Sequence, residues 1–174
     1  MQQQAEAVMA KQGEPVIEGV EVSLTGRGKF QVEVRTASGD FLADEPEAVG
    51  GLASGPTPND LLASALGACT AMTLRLYAER KGWRLRGATV RVLHRSGGLA
   101  ARDRFAREIV LDGDLGPEQR RRLLEIANRC PVHQTLERGA DVISVLAEAP
   151  LAGGLDPEPI EHASDMAAAC EQVR

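Results

Sequence analysis

Thr57-Pro-Asn-Asp-Leu-Leu-Ala-Ser-Ala-Leu-Gly-Ala-Cys69-Thr-Ala-Met-Thr-Leu-Arg-Leu-Tyr-Ala-Glu-Arg80 is the stretch on which the fold turns. Thr57 can cap a helix with its hydroxyl, and Pro58 suits the first helical position, where a missing N–H costs nothing. Gly82, after Arg80 and Lys81, ends the segment. Leu62, Ala65, Leu66, Cys69, Thr73 and Leu76 recur at three- and four-residue spacing and so share one face. Small residues at Ala63, Ser64, Ala65, Gly67, Ala68 and Ala71 surround that face. The pattern predicts a long helix, nearly buried and closely approached on several sides. Cys69 in its middle reads as a small core hydrophobe unless a cation lies near it.

Working outward, residues 1–15 are polar and read as a loose segment. From Val16 the chain alternates, with Val20, Val22 and Leu24 on one parity. After Gly26-Arg-Gly28, Phe30, Val32 and Val34 alternate with polar residues, which predicts a hairpin. Ser38-Gly-Asp40 turns into a short strand near Phe41, and Glu45 to Pro56 is loop. Beyond the helix, strands are expected over Leu85–His94 and Arg104–Leu111. A second helix is expected from Gly116-Pro-Glu, a third short one from Pro131, and a last strand over Val142–Leu146. Residues 149–174 read as an acidic, Pro/Gly-containing tail with a weak helix near Ile160–Gln172. Strand blocks with hairpin links, separated by helices, give one α+β domain over residues 16–148.

At 174 residues and 43% hydrophobic content the chain can build one core, and with only five aromatics that core is aliphatic. The net charge of -5 argues against a general nucleic-acid binder. Between Arg75 and Arg107, ten Lys and Arg face only Glu79 and Asp103. Without interleaved aromatics this reads as solvated strand faces, and no nucleic-acid partner is expected. No run of eighteen apolar residues occurs, so no membrane span is expected. The start, Met1-Gln-Gln-Gln-Ala-Glu, lacks the basic and apolar regions of a signal peptide, and a cytoplasmic protein is expected. In that compartment three cysteines do not form a permanent scaffold, so any bridge would be transient. Gly-rich phosphate loops, Gly-x-Ser-x-Gly elbows and His-Glu-x-x-His are absent from the sequence.

The remaining chemistry lies in the cysteines. Cys130 sits in Asn128-Arg-Cys-Pro-Val-His133, where Pro131 favours the first helical position and makes Cys130 the expected N-cap. A helix N-terminus stabilises an anion and lowers a thiol pKa, and Arg129 adds charge. The other reading is a small residue at a helix junction. Arg27, in the Gly-Arg-Gly turn, is a candidate cation for Cys69; the other reading is an ordinary hairpin-tip charge. Cys130-x-x-His133 has a metal-like spacing, but zinc needs more ligands than Cys69 and His94 can add, so no metal is expected. His133 reads as a polar neighbour of the site. Cys170, in the Ala-rich tail, reads as an exposed spare thiol.

Gly50-Gly51, then Gly55-Pro-Thr-Pro-Asn-Asp-Leu-Leu-Ala-Ser-Ala-Leu-Gly-Ala-Cys69, then an isolated second Cys followed by Pro-Val-His, resembles the OsmC/Ohr family of osmotically inducible and organic-hydroperoxide-resistance proteins. The resemblance covers about residues 16–148. It implies an α+β fold in which strongly bent antiparallel sheets wrap two central helices in an intertwined homodimer. It further implies a thiol-dependent peroxidase. Cys69 would be oxidised by an organic hydroperoxide to a sulfenic acid, and Cys130 would resolve it as a disulfide. The reductant would be a dithiol, such as a lipoylated protein, and no cofactor is required. Arg27 resembles the family's activating arginine, with Arg35 as the fallback. The family's orienting Glu, ten residues before the Cys, is replaced here by Asn59, with Asp60 one residue later. That departure leaves a second reading: a non-enzymatic OsmC-like module that senses redox state or binds a small ligand.

Overall fold

The computed structural model describes residues 19–98, 100–142, 144, 146 and 162–171. The described residues fall into two compact units, residues 19–56 in one and the described residues from 57 onward in the other. The loose segment expected over 1–15 lies outside the described residues.

In the first unit, β1 (Glu21–Leu24), β2 (Val32–Thr36) and β3 (Gly39–Ala43) form an antiparallel meander in the order β1-β2-β3. The register pairs Val22 with Val34 and Val34 with Phe41, so the alternation read from the sequence lands on one sheet face. The loop after β3 is organised by the buried Asp44. Its carboxylate accepts hydrogen bonds from the backbone of Glu45 (2.8 Å), Leu52 (3.0 Å) and Ser54 (3.4 Å), and from the Ser54 hydroxyl (2.8 Å). Burial raises its pKa, but these four bonds outweigh burial and hold it below the usual carboxylate value. The Gly51 and Gly55 of the sequence are steric necessities. A Cβ at Gly51 would stand 1.8 Å from the Glu45 carbonyl oxygen, and one at Gly55 1.9 Å from that of Leu42.

The second unit begins with α1 (Pro58–Arg80), whose bounds match the expected helix. Thr57 accepts from the Asp60 N–H, and Asp60 accepts back from the Thr57 N–H at 3.0 Å, closing a capping box. β4 (Arg84–Arg95) and β5 (Arg104–Asp114) follow as one long antiparallel hairpin. Then come α2 (Pro117–Ala127), α3 (Pro131–Arg138) and α4 (His162–Glu171). Four helices and two small antiparallel sheets, among the described residues, make the α+β class that the sequence predicts.

The buried stripe of α1 is Leu66, Cys69, Thr70, Thr73, Leu74, Tyr77 and Ala78. This is narrower than expected: Leu62 and Met72 are exposed, and so is Ala65. Burial follows the helical period from Leu66, and β4, α2, α3 and α4 pack onto α1. By length and composition α1 could also cross a bilayer, but 44% of its most apolar window is buried inside the protein, as for a core helix. Its C-terminal half meets Leu85, Leu115, Leu123, Ile126 and Ala127 in the larger core cluster.

Cys170 corrects the sequence reading. It is buried in that cluster and not exposed, because α4 docks its inner face, Met166 and Cys170, against α1. Arg80 fixes the helix there, donating to the Ala167 carbonyl at 3.0 Å and pairing with Glu171 at 3.6 Å. Burial raises the Cys170 thiol pKa. The strand expected over Val142–Leu146 falls partly outside the described residues, and Val142, Ser144 and Leu146 belong to no strand.

Candidate active site

Cys69 and Cys130 come together. α1 presents Cys69 about three turns beyond its start at Pro58. The tight link between α2 and α3 brings Cys130 against it, in a cluster with Leu66 walled by Val92, Phe105, Val132 and Leu136. Both are free thiols, buried and packed in the same cluster. Cys130 is the N-cap of α3, as Pro131 predicts; its sulfur accepts from the His133 N–H at 3.4 Å. The Cys69 sulfur accepts from the neighbouring Val132 N–H at 3.5 Å. One helix N-terminus therefore faces both sulfurs with donors and a positive dipole end.

The two thiols nevertheless differ. The hydrogen bond with Cys130, then burial, push the Cys69 thiol far above its ordinary value. The same bond from Cys69, helped by Thr70, the His133 N–H and the charge of Arg107, outweighs burial and lowers Cys130 to about 6.

Arg107 is the residue that sequence reasoning missed. The sequence pattern places it among the solvated charges of the Arg75–Arg107 region. On β5 it shares parity with Phe105, Ile109 and Leu111, the half-buried side of an alternating strand. That parity is the signal: an arginine at an inward position must find acceptors. It donates to Thr70 Oγ1 (2.8 Å), the Ala127 carbonyl (2.7 Å) and Asn128 Oδ1 (2.8 Å), with His133 Nδ1 at 3.1 Å. Because arginine only donates, His133 Nδ1 accepts, and its Nε2 faces Glu137 at 3.3 Å. A cleft of about 390 Å³ opens beside this cluster, lined by Leu66, Phe105, Leu136, Arg102, Arg107 and His133 among others.

The other expected residues make contacts of their own. Arg27 is exposed at the β1–β2 turn of the first unit, where its N–H donates to Thr25 Oγ1 at 3.1 Å. Arg35 in the same unit pairs with Glu33 at 2.7 Å and Glu21 at 3.4 Å. Asp60 is committed to the cap of α1, and the hydrogen bonds from Thr57 hold its pKa below the usual carboxylate value. It lies about 14 Å along the helix axis from Cys69, at 1.5 Å per residue. The Cys130-x-x-His133 spacing serves the N-cap, with His133 contributing its N–H to the sulfur and its ring to Arg107 and Glu137.

Residues 51–145 match the family model described as OsmC-like protein. No curated protein matches the sequence. Among solved structures, an OsmC like protein from Mycoplasma pneumoniae is similar with a TM-score of 0.59 and 20% identity, over 68% of this chain and 86% of that one. An organic hydroperoxide resistance protein OsmC from Legionella pneumophila is similar with a TM-score of 0.55 and 20% identity, over 71% and 91%. The organic hydroperoxide resistance protein OhrB of Bacillus subtilis is similar with a TM-score of 0.51 and 21% identity, over 71% and 93%. Two cysteines carried by the matched helix and by the start of α3, with the fold common to these structures, fit that match: the chain belongs to the OsmC-like protein family.

Proposed function

We propose that this protein is a thiol-dependent peroxidase that reduces organic hydroperoxides with Cys69 and Cys130. One observation carries the reading: two free, buried thiols on separate elements pack together inside an apolar wall. The Cys69 sulfur attacks the hydroperoxide oxygen, the O–O bond breaks, an alcohol leaves, and Cys69 becomes a sulfenic acid. The Cys130 sulfur then displaces the hydroxyl as water and forms the disulfide. A dithiol, lipoylated or small, returns both thiols by exchange and carries away the two electrons. The surrounding Leu66, Val92, Phe105, Val132 and Leu136 suit an alkyl substituent on the peroxide better than water-like hydrogen peroxide. The similar structures named for organic hydroperoxide resistance support the same substrate class. We place the working form as a homodimer in the cytoplasm, with Arg27 as the cation that activates Cys69.

A second reading has its own observation. The Cys130 side chain and burial push the Cys69 thiol up, which suits a redox-sensing module that forms the disulfide without sustained turnover. Stopped-flow oxidation with cumene hydroperoxide, followed by recycling with a dithiol, separates the two. Turnover lost in Cys69→Ser and Cys130→Ser supports the peroxidase. Full turnover in Cys69→Ser sinks the cycle, and a disulfide formed once without recycling supports the sensor.

A further inference from the structure

We propose that α3 is a hinged lid over the thiol pair: Leu136 is the wall that moves to let an organic hydroperoxide pass from the adjoining cleft to Cys69, and Arg102 is the positioning residue that latches it shut. The catalytic consequence rests on the peroxidase reading; the measurement does not.

Burial sets the problem. Cys69 is 2% exposed and Cys130 0%, so a peroxide reaches neither sulfur until a neighbour moves. Leu66, Phe105 and Leu136 line the cleft of about 390 Å³ and also pack in the thiol cluster, so they stand between the open space and the sulfurs. Two of the three are held firmly. Leu66 belongs to the buried stripe of α1. Phe105 lies in the long β4–β5 hairpin and stacks on His94 at 4.6 Å, and Asp103 holds that imidazole at 2.7 Å. Leu136 alone rides on a helix of eight residues, which depends on its neighbours to keep its shape. Ile109 and Leu124 extend the apolar lining of the cleft, where the alkyl or aryl part of the peroxide would rest.

The ties on α3 are unequal at its two ends. The first turn is anchored. Arg107 donates to His133 Nδ1 at 3.1 Å and, just upstream, to the Ala127 carbonyl (2.7 Å) and Asn128 Oδ1 (2.8 Å). The Gln134 side chain donates back to the Asn128 carbonyl at 2.9 Å, and the Val132 N–H meets the Cys69 sulfur at 3.5 Å. At the last turn, one hydrogen bond arrives from the hairpin among the described residues: the exposed Arg102 donates to the Glu137 carbonyl at 2.7 Å. The Glu137 carboxylate faces His133 of the same helix and travels with it. Residues 139–142 beyond are exposed and belong to no helix or strand. On the outer flank a groove of about 320 Å³, lined by Gln134, Thr135 and Arg138 of α3 and by Asp165 and Ala168 of α4, gives the tilting end room. The helix therefore pivots on its first turn and opens at Leu136. Cys69 is uncovered while Cys130, at the pivot, stays beside it to close the disulfide.

The test is alkylation of the reduced full-length protein by iodoacetamide at one fixed pH, each cysteine followed by peptide mass mapping. Cys170, sealed in the other core cluster, is the internal control. Arg102→Ala is expected to speed modification of Cys69 about fivefold, the weight of one exposed hydrogen bond, with Cys170 unchanged. Arg102→Lys, which still donates, should return the rate to near wild type. Leu124→Trp, which narrows the cleft, should slow Cys69 modification by the bulkier N-phenylmaleimide several-fold and leave that by iodoacetamide near wild type. Arg102 and Leu124 are both exposed, so neither variant removes a core contact. A Cys69 rate unmoved in Arg102→Ala, or a Cys170 rate that rises with it as in global unfolding, overturns the lid. An N-phenylmaleimide rate unmoved in Leu124→Trp overturns the route through the cleft. Alkylation uses no peroxide, so a missing turnover would sink the peroxidase reading and leave the lid standing.

Discussion

The middle and the C-terminal half of α1 bury the same helical face against different chemistry. The C-terminal half seats Leu74, Tyr77 and Ala78 among Leu85, Leu123 and Ile126, and Cys170 joins them only as a small hydrophobe. The middle seats Cys69 among Leu66, Val92, Phe105 and Leu136, but there Cys130, Thr70 and Arg107 add a polar seam. Three buried thiols therefore have three fates. Cys170 meets burial with the Arg80 charge only partly offsetting it, Cys69 meets the Cys130 side chain and burial, and Cys130 meets donors. Burial alone raises a thiol pKa; a helix N-terminus, Thr70 and the charge of Arg107 act against it at Cys130.

The largest expected effect lies in the C-terminal half. Leu123, wholly buried, truncated to Ala should cost about 2–5 kcal/mol in urea unfolding, while the Cys130 titration midpoint stays put. A large shift of that midpoint would show that the two regions are coupled and break the comparison.

A smaller effect concerns pH. Cys130 has a folded pKa of about 6, below the unfolded thiol value of about 8.5. Between those values the unfolded chain binds more protons, so stability rises with pH and is lost as pH falls through the folded value. Cys69 is shifted the other way. Above about 8.5 its unfolded form ionises while its folded form does not, so stability falls again. Urea midpoints across this range should trace a dome in the wild type. Cys69→Ser with Cys130→Ser should flatten it, and a dome left intact in that variant would assign it to other groups.

The smallest effect is at the start of α1. Asp60→Ala should cost about 1 kcal/mol through the lost capping box. With Asp60 acting as a cap, hydroperoxide turnover of the folded variant should stay near wild type. A collapse of turnover at unchanged stability would instead return Asp60 to the activating role that the family pattern suggests.

Much of this was legible in the residues. Thr57 and Pro58 set the start of α1, and Pro131 made Cys130 an N-cap, because capping and proline geometry are local. The Gly50-Gly51 and Gly55 signature marked a loop, and the close backbone packing at Gly51 and Gly55 shows why a side chain cannot fit at those two positions. Other features were not legible. The inward parity of Arg107 was visible on β5, yet its acceptors come from α1, from the end of α2 and from α3. The burial of Cys170 depends on α4 docking against α1, which the weak pattern of an Ala-rich segment does not announce.

By itself, the sequence determined the helix that holds Cys69, the cap that holds Cys130 and the family to which both belong. Those depend on neighbours three or four residues apart. Only the tertiary structure decided that the two sulfurs meet, that Arg107 and Thr70 stand behind one of them, and that the third thiol is sealed in the core. Such contacts join segments far apart in sequence, and a thiol's ionisation is set by the charges and donors that packing brings to it.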